Sequence, residues 1–337
     1  MKKNAAICLL ALLCGLPLSV AAQSNVRVYG LVDLFAGGGG ASAAPKITAI
    51  NSGGLTTSYW GVAGSEDLGD GRSAQFGLEG FFRADTGDAG RVPGEATFAR
   101  AAFVGLSDDW GAARAGRLSN PLFLAMANMN PFGVSTRLSP LIDHVWSVPF
   151  GAASLGDTGW NNAIGYQSPT INGMSVAAQY GLGETGPNSF GNNRAAVFKY
   201  ANGALALTAA AQEIKNGLNV TSAAPAQALY FGGASYDAGI IKLYATYDRA
   251  HADVSGRTTR TGQLGLSVPQ GAGSWLLAWA RSHEDSNVAR SFARDTASAG
   301  YDYDLSKRTD LYAVFMYDKL STASSGNTWA LGCRHRF

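Results

Sequence analysis

The sequence predicts an all-β protein, a 16-stranded antiparallel transmembrane β-barrel with a long third loop folded into the lumen. Three observations carry that expectation. The chain opens on an export leader. Its apolar residues recur at every second position and never gather into a long run outside that leader. Its turns alternate between tight and long.

The leader comes first. Lys2 and Lys3 precede an apolar run from Ala5 to Leu18, broken by Pro17, and Ser19-Val20-Ala21-Ala22 supplies the small residues a signal peptidase requires. Residues 1–22 are read as a signal peptide and residues 23–337 as one barrel domain. A retained membrane helix is disfavoured because the run is short and ends at a proline. A lipid-modified Cys14 is disfavoured because the bulky Leu13 precedes it. Processing takes the Lys and Arg count from 26 to 24, equal to the 24 acidic residues. The mature chain is then formally neutral, so net charge gives no reason to expect a nucleic-acid partner. Cys8 and Cys14 leave with the leader, and the remaining Cys333 has no second cysteine for a disulfide or a zinc site.

Alternation is clearest in Ile241 to Asp248. Ile241, Leu243, Ala245 and Tyr247 share one face, and Lys242, Tyr244, Thr246 and Asp248 share the other. Ala74 to Arg83 does the same, with Gln75, Glu79 and Arg83 on the polar face, and Met174 to Tyr180 repeats it. A period of two between an apolar and a polar face marks a strand between two solvents. No run approaches the ~20 apolar residues of a membrane helix, so a membrane protein of this composition must cross as a closed barrel. The outer face then meets lipid and the inner face meets water.

Tight turns rich in Gly, Asn, Asp and Pro fall at 66–71, 108–111, 168–173, 202–203, 237–239, 269–273 and 306–310. Longer polar connections fall at 37–56, 86–96, 118–160, 184–193, 216–225, 251–259, 285–292 and 321–327. Seven short and eight long connections join sixteen strands, with both termini on the short-turn rim. These are 25–36, 57–66, 71–85, 97–107, 111–117, 161–168, 174–183, 194–201, 204–215, 226–237, 240–250, 260–269, 274–284, 293–305, 310–320 and 328–337. Counts of 14 or 18 stay open. Tyr301, Tyr303, Trp110 and Trp329 lie near strand ends, which fits interfacial belts and equally fits strand propensity.

The chemistry of the chain points away from catalysis. His144, His251, His283 and His335 are scattered, no two at a metal-binding spacing, and Gly37 to Gly40 lacks the Gly-Lys-Ser/Thr of a phosphate loop. No catalytic residue, metal or cofactor is expected. Ser282-His283 evokes a barrel hydrolase, but an idle rim histidine explains it more simply. A 16-stranded barrel leaves an aqueous channel that something must narrow. Residues 118–160 are too long for a hairpin turn. They carry Phe123, Met126, Met129, Phe132, Leu138, Leu141, Trp146 and Phe150, which inward folding would bury. Arg137, Asp143 and Asp157 would then serve the constriction. An external lid is the alternative.

Strand phase selects the wall residues. With Phe337 outward, Trp329, Leu331, Cys333 and His335 face lipid and Arg334 and Arg336 face the lumen. The same alternation places Arg27, Asp33, Gln75, Glu79, Arg83, Arg100 and Arg117 inside, since arginine on the lipid face costs ~2–4 kcal/mol at the midplane. Arg83, Arg100 and Arg117 form the expected basic side of a transverse field.

Val26 to Asp33, Trp60 to Gly69, Ala102 to Ser107 with Trp110-Gly111 and Gly116-Arg117, Tyr301 to Ala313, and Gly332 to Phe337 together resemble the general porins of Gram-negative bacteria, in their β-proteobacterial form. The resemblance covers the mature chain. It implies a homotrimer in the outer membrane amid lipid and lipopolysaccharide, with passive diffusion of small hydrophilic solutes past an inwardly folded third loop. It implies that Phe337 is read by the barrel-assembly machinery. Arg117 matches the family's constriction arginine, and Arg100 and Arg83 match wall positions that are often basic. Tyr59 and Ala63 stand where the family often has basic residues, and Asn130-Pro131-Phe132-Gly133 replaces an acidic loop motif. The expectation is therefore a weak to moderate anion preference. A substrate-specific channel and a plugged-barrel adhesin or enzyme are the competing readings.

Overall fold

A computed structural model describes residues 25–147, 154, 156–183, 192–217, 220, 226–253, 255–287 and 291–337. The expected signal peptide lies outside the described residues.

Among the described residues, seventeen strand segments and two short helices follow one another. They are β1 (Asn25–Gly40), β2 (Ile47–Ser52), β3 (Tyr59–Gly69), β4 (Arg72–Phe81), β5 (Ala101–Asp108), β6 (Gly111–Ser119), α1 (Pro121–Asn128), α2 (Pro140–Trp146), β7 (Gly159–Gln167), β8 (Met174–Gly181) and β9 (Asn193–Asn202). The remainder are β10 (Leu205–Ile214), β11 (Gln227–Asp237), β12 (Lys242–Ala252), β13 (Arg257–Gln270), β14 (Gly273–Asp285), β15 (Phe292–Asp304), β16 (Thr309–Leu320) and β17 (Gly326–Arg336). Each pairs antiparallel with its chain neighbour, and β1 pairs with β17 to close the ring.

The ring has sixteen staves. Both β2 and β3 lie along one edge of β1, opposite Leu34–Gly39 and Asn25–Leu31 respectively, so together they form a single stave. The expected long connection at 37–56 is corrected accordingly. The top turn is short, and the chain is instead interrupted between Ser52 and Tyr59. Asp33 holds that interruption. Its carboxylate accepts from the backbone N–H groups of Gly54, Leu55 and Thr56 and from the Tyr312 hydroxyl. Its main chain bonds Gly53 N and Ser58 Oγ. Six residues thereby span what two span on β1, with the N–H groups of Gly53 to Thr56 all bonded to Asp33.

Alternation sets two faces. Val104, Ile164, Tyr247 and Leu331 are exposed on the outside, while their neighbours are covered. Near the short turns, Trp110 stacks on Tyr166 and Trp275 packs against Tyr301. On β17 the odd positions are exposed and the even ones covered, as phase counting from Phe337 requires. Phe337 exchanges both backbone hydrogen bonds with Gly30. A Cβ on Gly30 would come within 2.6 Å of the Phe337 ring, so glycine makes room for it.

Candidate functional site

The third connection builds the site. Asn120 caps α1 by accepting from Leu122 N and Phe123 N, and Pro121 opens the helix. Leu122, Ala125 and Met126 then pack on the inward residues Val197, Ala210, Leu229, Phe231 and Ala250 of β9 to β12. Full burial of Leu122, Met126, Leu141 and Ile142 contributes roughly 2 kcal/mol each. Asn130 turns the chain between the helices. Its side-chain nitrogen donates to Met126 O, Ala127 O and Gly133 O, and its oxygen accepts from Phe132 N and Ser139 Oγ. Pro131 sits over Gly265, where a Cβ would lie 2.8 Å away. Phe132 and Leu138 pack with Leu55 of the β2–β3 interruption, and Ser135 Oγ donates to Gly54 O.

Ser139 caps α2, which carries the polar anchor to the opposite wall. His144 lies between the hydroxyls of Ser282 and Thr296, 2.7 Å from each. Arg294 bridges Asp143 and Asp318, at 2.5 and 2.8 Å. Burial raises the Asp143 carboxyl to about 6, against the opposing pull of Arg294. Burial also lowers the His144 imidazole to about 3, and Arg294 acts in the same direction. The consequences for stability oppose one another. His144 binds its proton near 6.5 when unfolded, so its contribution is full above that pH and lost as pH falls towards 3. Asp143 titrates near 3.8 when unfolded, so its contribution is full below that pH and lost as pH rises through 6. Between about pH 4 and 6 the two slopes cancel.

Two cavities lie along the lumen, one of about 620 Å³ and one of about 740 Å³. Arg100, Ser119 and Leu124 line both, which marks the narrowing between them. Arg100 lies just before β5, stacks 3.9 Å over the Tyr59 ring and pairs with Glu79, which also accepts from the Tyr29 hydroxyl. Arg27 and Glu79 line the first cavity, while Arg137, Asp143 and Asp157 line the second. Asp157 bonds Arg91 at 3.0 Å and Arg117 at 2.7 Å. Burial pushes its carboxyl up, but those two guanidiniums outweigh burial and hold it below the usual range.

Two expected wall arginines stand elsewhere. Arg83 falls beyond β4 in a turn, paired with Asp88 at 2.9 Å. Arg117 opposes the outward Ala102, and Ala99 O, Asn161 Oδ1 and Asp157 hold its guanidinium. Arg114 on the same strand lines the first cavity and donates to Gln75.

A family model described as Gram-negative porin matches residues 6–323. The chain belongs to the Gram-negative porin family. An outer membrane porin protein of Bordetella pertussis is 27% identical over 97% of this chain and 98% of its own length. Outer membrane porin protein 32 of Delftia acidovorans is 29% identical over 92% of this chain and 88% of its own. Among solved structures, the anion-selective porin from Comamonas acidovorans superposes with a TM-score of 0.78 at 26% identity, covering 94% of this chain and 100% of that one. This porin is accordingly an outer-membrane channel protein.

Among the described residues, the two lumen cavities are lined by six arginines (27, 91, 100, 114, 137 and 294) and four carboxylates (79, 95, 143 and 157). Arg91, Glu95, Arg114 and Arg294 were not among the sequence candidates. Arg114 was legible in principle, because alternation that faces it inward also faces Leu118 inward, where that apolar side chain packs with Trp160, Ala163 and Ile214. Arg91 and Glu95 sit in a connection without periodicity and carried no such signal.

Proposed function

We propose that small hydrophilic solutes and ions diffuse passively through this porin with a weak preference for anions. The excess of six lining arginines over four carboxylates carries the reading. Among the described residues Arg27, Arg114 and Arg137 have no carboxylate within salt-bridge distance, whereas Arg91, Arg100 and Arg294 are paired. Paired charges present a small dipole to a passing ion, and unpaired ones a net field. Arg27, Arg100 and Arg137, with Glu79, Tyr59, Asp143 and Asp157, form the selectivity set in this reading. Arg117 and Arg83 hold loop carboxylates in position. Residues 118–160 act as the constriction element, and the chain acts as a channel rather than an enzyme. The family resemblance extends the reading to a homotrimer in contact with lipopolysaccharide, to removal of residues 1–22 and to Phe337 as the assembly signal.

Reversal potentials across planar bilayers in a potassium chloride gradient test the selectivity. A small potential of anion-preferring sign is expected, fading at high salt. A clear cation preference overturns the reading, as does absence of conductance.

A further inference from the structure

Among the described residues five carboxyl groups are buried, those of Asp33, Asp248, Glu284, Asp310 and Asp318. Four of them have donors. Asp33 accepts from three backbone N–H groups and the Tyr312 hydroxyl, and Glu284 from Thr259 at 3.2 Å. Asp310 meets Arg334 and Arg336, and Asp318 meets Arg294. Asp248 is the exception. Among the described residues neither of its oxygens has a hydrogen-bond partner, and no cation pairs with it. An ionised carboxylate taken out of water without a partner is strongly destabilised, so a compensating group is required.

The neighbours of Asp248 identify its chemistry. Asp248 points inward from β12 beneath the third connection. Thr246 precedes it by two residues on the same face, Gln263 lies opposite Thr246 on β13, and Thr261 lies opposite Asp248. Thr246 Oγ1 and Gln263 Oε1 are likewise buried without partners. Side chains directly opposite on adjacent strands stand about 5 Å apart, so these groups converge on one patch. The loop closes over it. Gln263 Nε2 donates to Met129 O at 3.3 Å. Met129 packs against Gly233, opposite Thr246 on β11, and Pro131 against Gly265, the next inward position of β13. Thr261 has a single proton, and its Oγ1 stands 2.9 Å from Ser282 Oγ. Turned to Asp248 instead, that proton answers only one of about four lone pairs. Two carboxylate oxygens, one hydroxyl oxygen and one amide oxygen remain, with no nitrogen or sulfur among them. Such a set suits a hard cation. A monovalent ion leaves the patch neutral, whereas a divalent one leaves a buried positive charge that desolvation disfavours.

We propose that Asp248, Thr246 and Gln263 bind one alkali-metal cation between the third connection and the β12–β13 wall. Asp248 supplies the charge, and Thr246 Oγ1 and Gln263 Oε1 supply neutral ligands. The ion cancels a carboxylate that otherwise lies bare beneath the loop, and through Gln263 it steadies Met129. It is a fixed ion, so the site is independent of which solutes the lumen conducts.

The test is thermal unfolding of the detergent-solubilised barrel, followed by circular dichroism in the presence of EDTA. Sodium chloride is varied against choline chloride at constant ionic strength, and a potassium chloride series is run beside it. The wild-type midpoint should rise with sodium or potassium by roughly 2 °C for each tenfold increase once the site is half filled. Asp248→Asn should lose that dependence and, lacking a stranded charge, should melt no lower than the wild type in choline. Thr246→Val keeps the charge but lacks one ligand, and should need several-fold more sodium for the same rise. Equal wild-type midpoints in sodium, potassium and choline overturn the site and assign a proton or a buried water to Asp248. A sodium response that persists in Asp248→Asn places the ion elsewhere and also overturns it. A response seen only when calcium replaces EDTA overturns the monovalent assignment. Should Asp248→Asn fail to fold, an unchanged sodium response in Thr246→Val overturns the proposal by itself.

Discussion

Glu79→Gln isolates the electrostatics of the narrowing. Glutamine keeps the shape of the side chain and can still accept from the Tyr29 hydroxyl and from Arg100, so the geometry holds while the Arg100 charge loses its partner. An ion passing about 5 Å from that guanidinium feels roughly 0.8 kcal/mol in water-like dielectric. Screening at 0.1 M salt reduces this to about 0.5 kcal/mol. Anions gain that amount and cations lose it, a difference of about 1 kcal/mol, or about a fivefold rise in the anion-to-cation permeability ratio. At 1 M salt the rise shrinks below about twofold. The assay is the reversal potential of single channels in potassium chloride gradients at both ionic strengths. An unchanged ratio at low salt, or one that does not collapse at high salt, would refute the view that Arg100 and Glu79 set the field as a neutralised pair.

Other perturbations follow from the same partners. Arg137→Gln removes a cation with no carboxylate beside it and should lower the anion ratio by a similar few-fold, whereas Arg83→Gln, paired at its exposed turn, should leave the ratio nearly unchanged; the same reversal potentials compare them. Asp33→Ala leaves three backbone N–H groups and the Tyr312 hydroxyl without their acceptor and should cost at least about 3 kcal/mol. Tyr312→Phe should cost only about 1 kcal/mol, and the urea midpoint of the refolded barrel measures both. Asp143→Asn uncovers the His144 slope, so its thermal midpoint should fall steadily from pH 6.5 to 4, while His144→Gln should grow more stable as pH falls from 6 to 4. A flat profile in both variants would show that neither group titrates as its burial requires.

The staves were legible because a barrel wall writes its two solvents into alternate residues. Each of the sixteen expected strands overlaps an observed stave, and phase counting from Phe337 assigned the β17 faces as they stand. The phase was lost where the chain stops being a strand. Arg100 lies one residue before β5, and Arg83 lies past the end of β4, so alternation did not govern either side chain. On β6, taking Arg117 as inward reversed the strand and hid Arg114. The interruption at Ser52–Tyr59 read as a loop because Gly53-Gly54 resembles any turn. Its anchor, Asp33, lies twenty residues earlier on another stave, and a bond between distant residues leaves no periodic trace. Asn130 was noticed as a departure from an acidic motif, yet its amide satisfies three carbonyls, a role that depends on where the chain has already turned.

One residue type illustrates how partners divide function. Arginine serves this chain as a structural clamp, as a lumen charge and as an outer-face charge, and composition distinguishes none of the three. Arg294 and Arg334 are almost covered and each meets two carboxylates, so they tie the loop and the β15 to β17 wall together. Removing one partner from such a buried pair strands a charge, which is why these positions resist change. Arg27, Arg114 and Arg137 line water, where a lone guanidinium is hydrated and its field reaches the passing ion. Arg249 and Arg260 face outward beside each other, with Asp285 pairing to Arg260 at 2.8 Å. A count of inward arginines therefore overstates selectivity, and the weak preference expected here follows from how few of them remain unpaired.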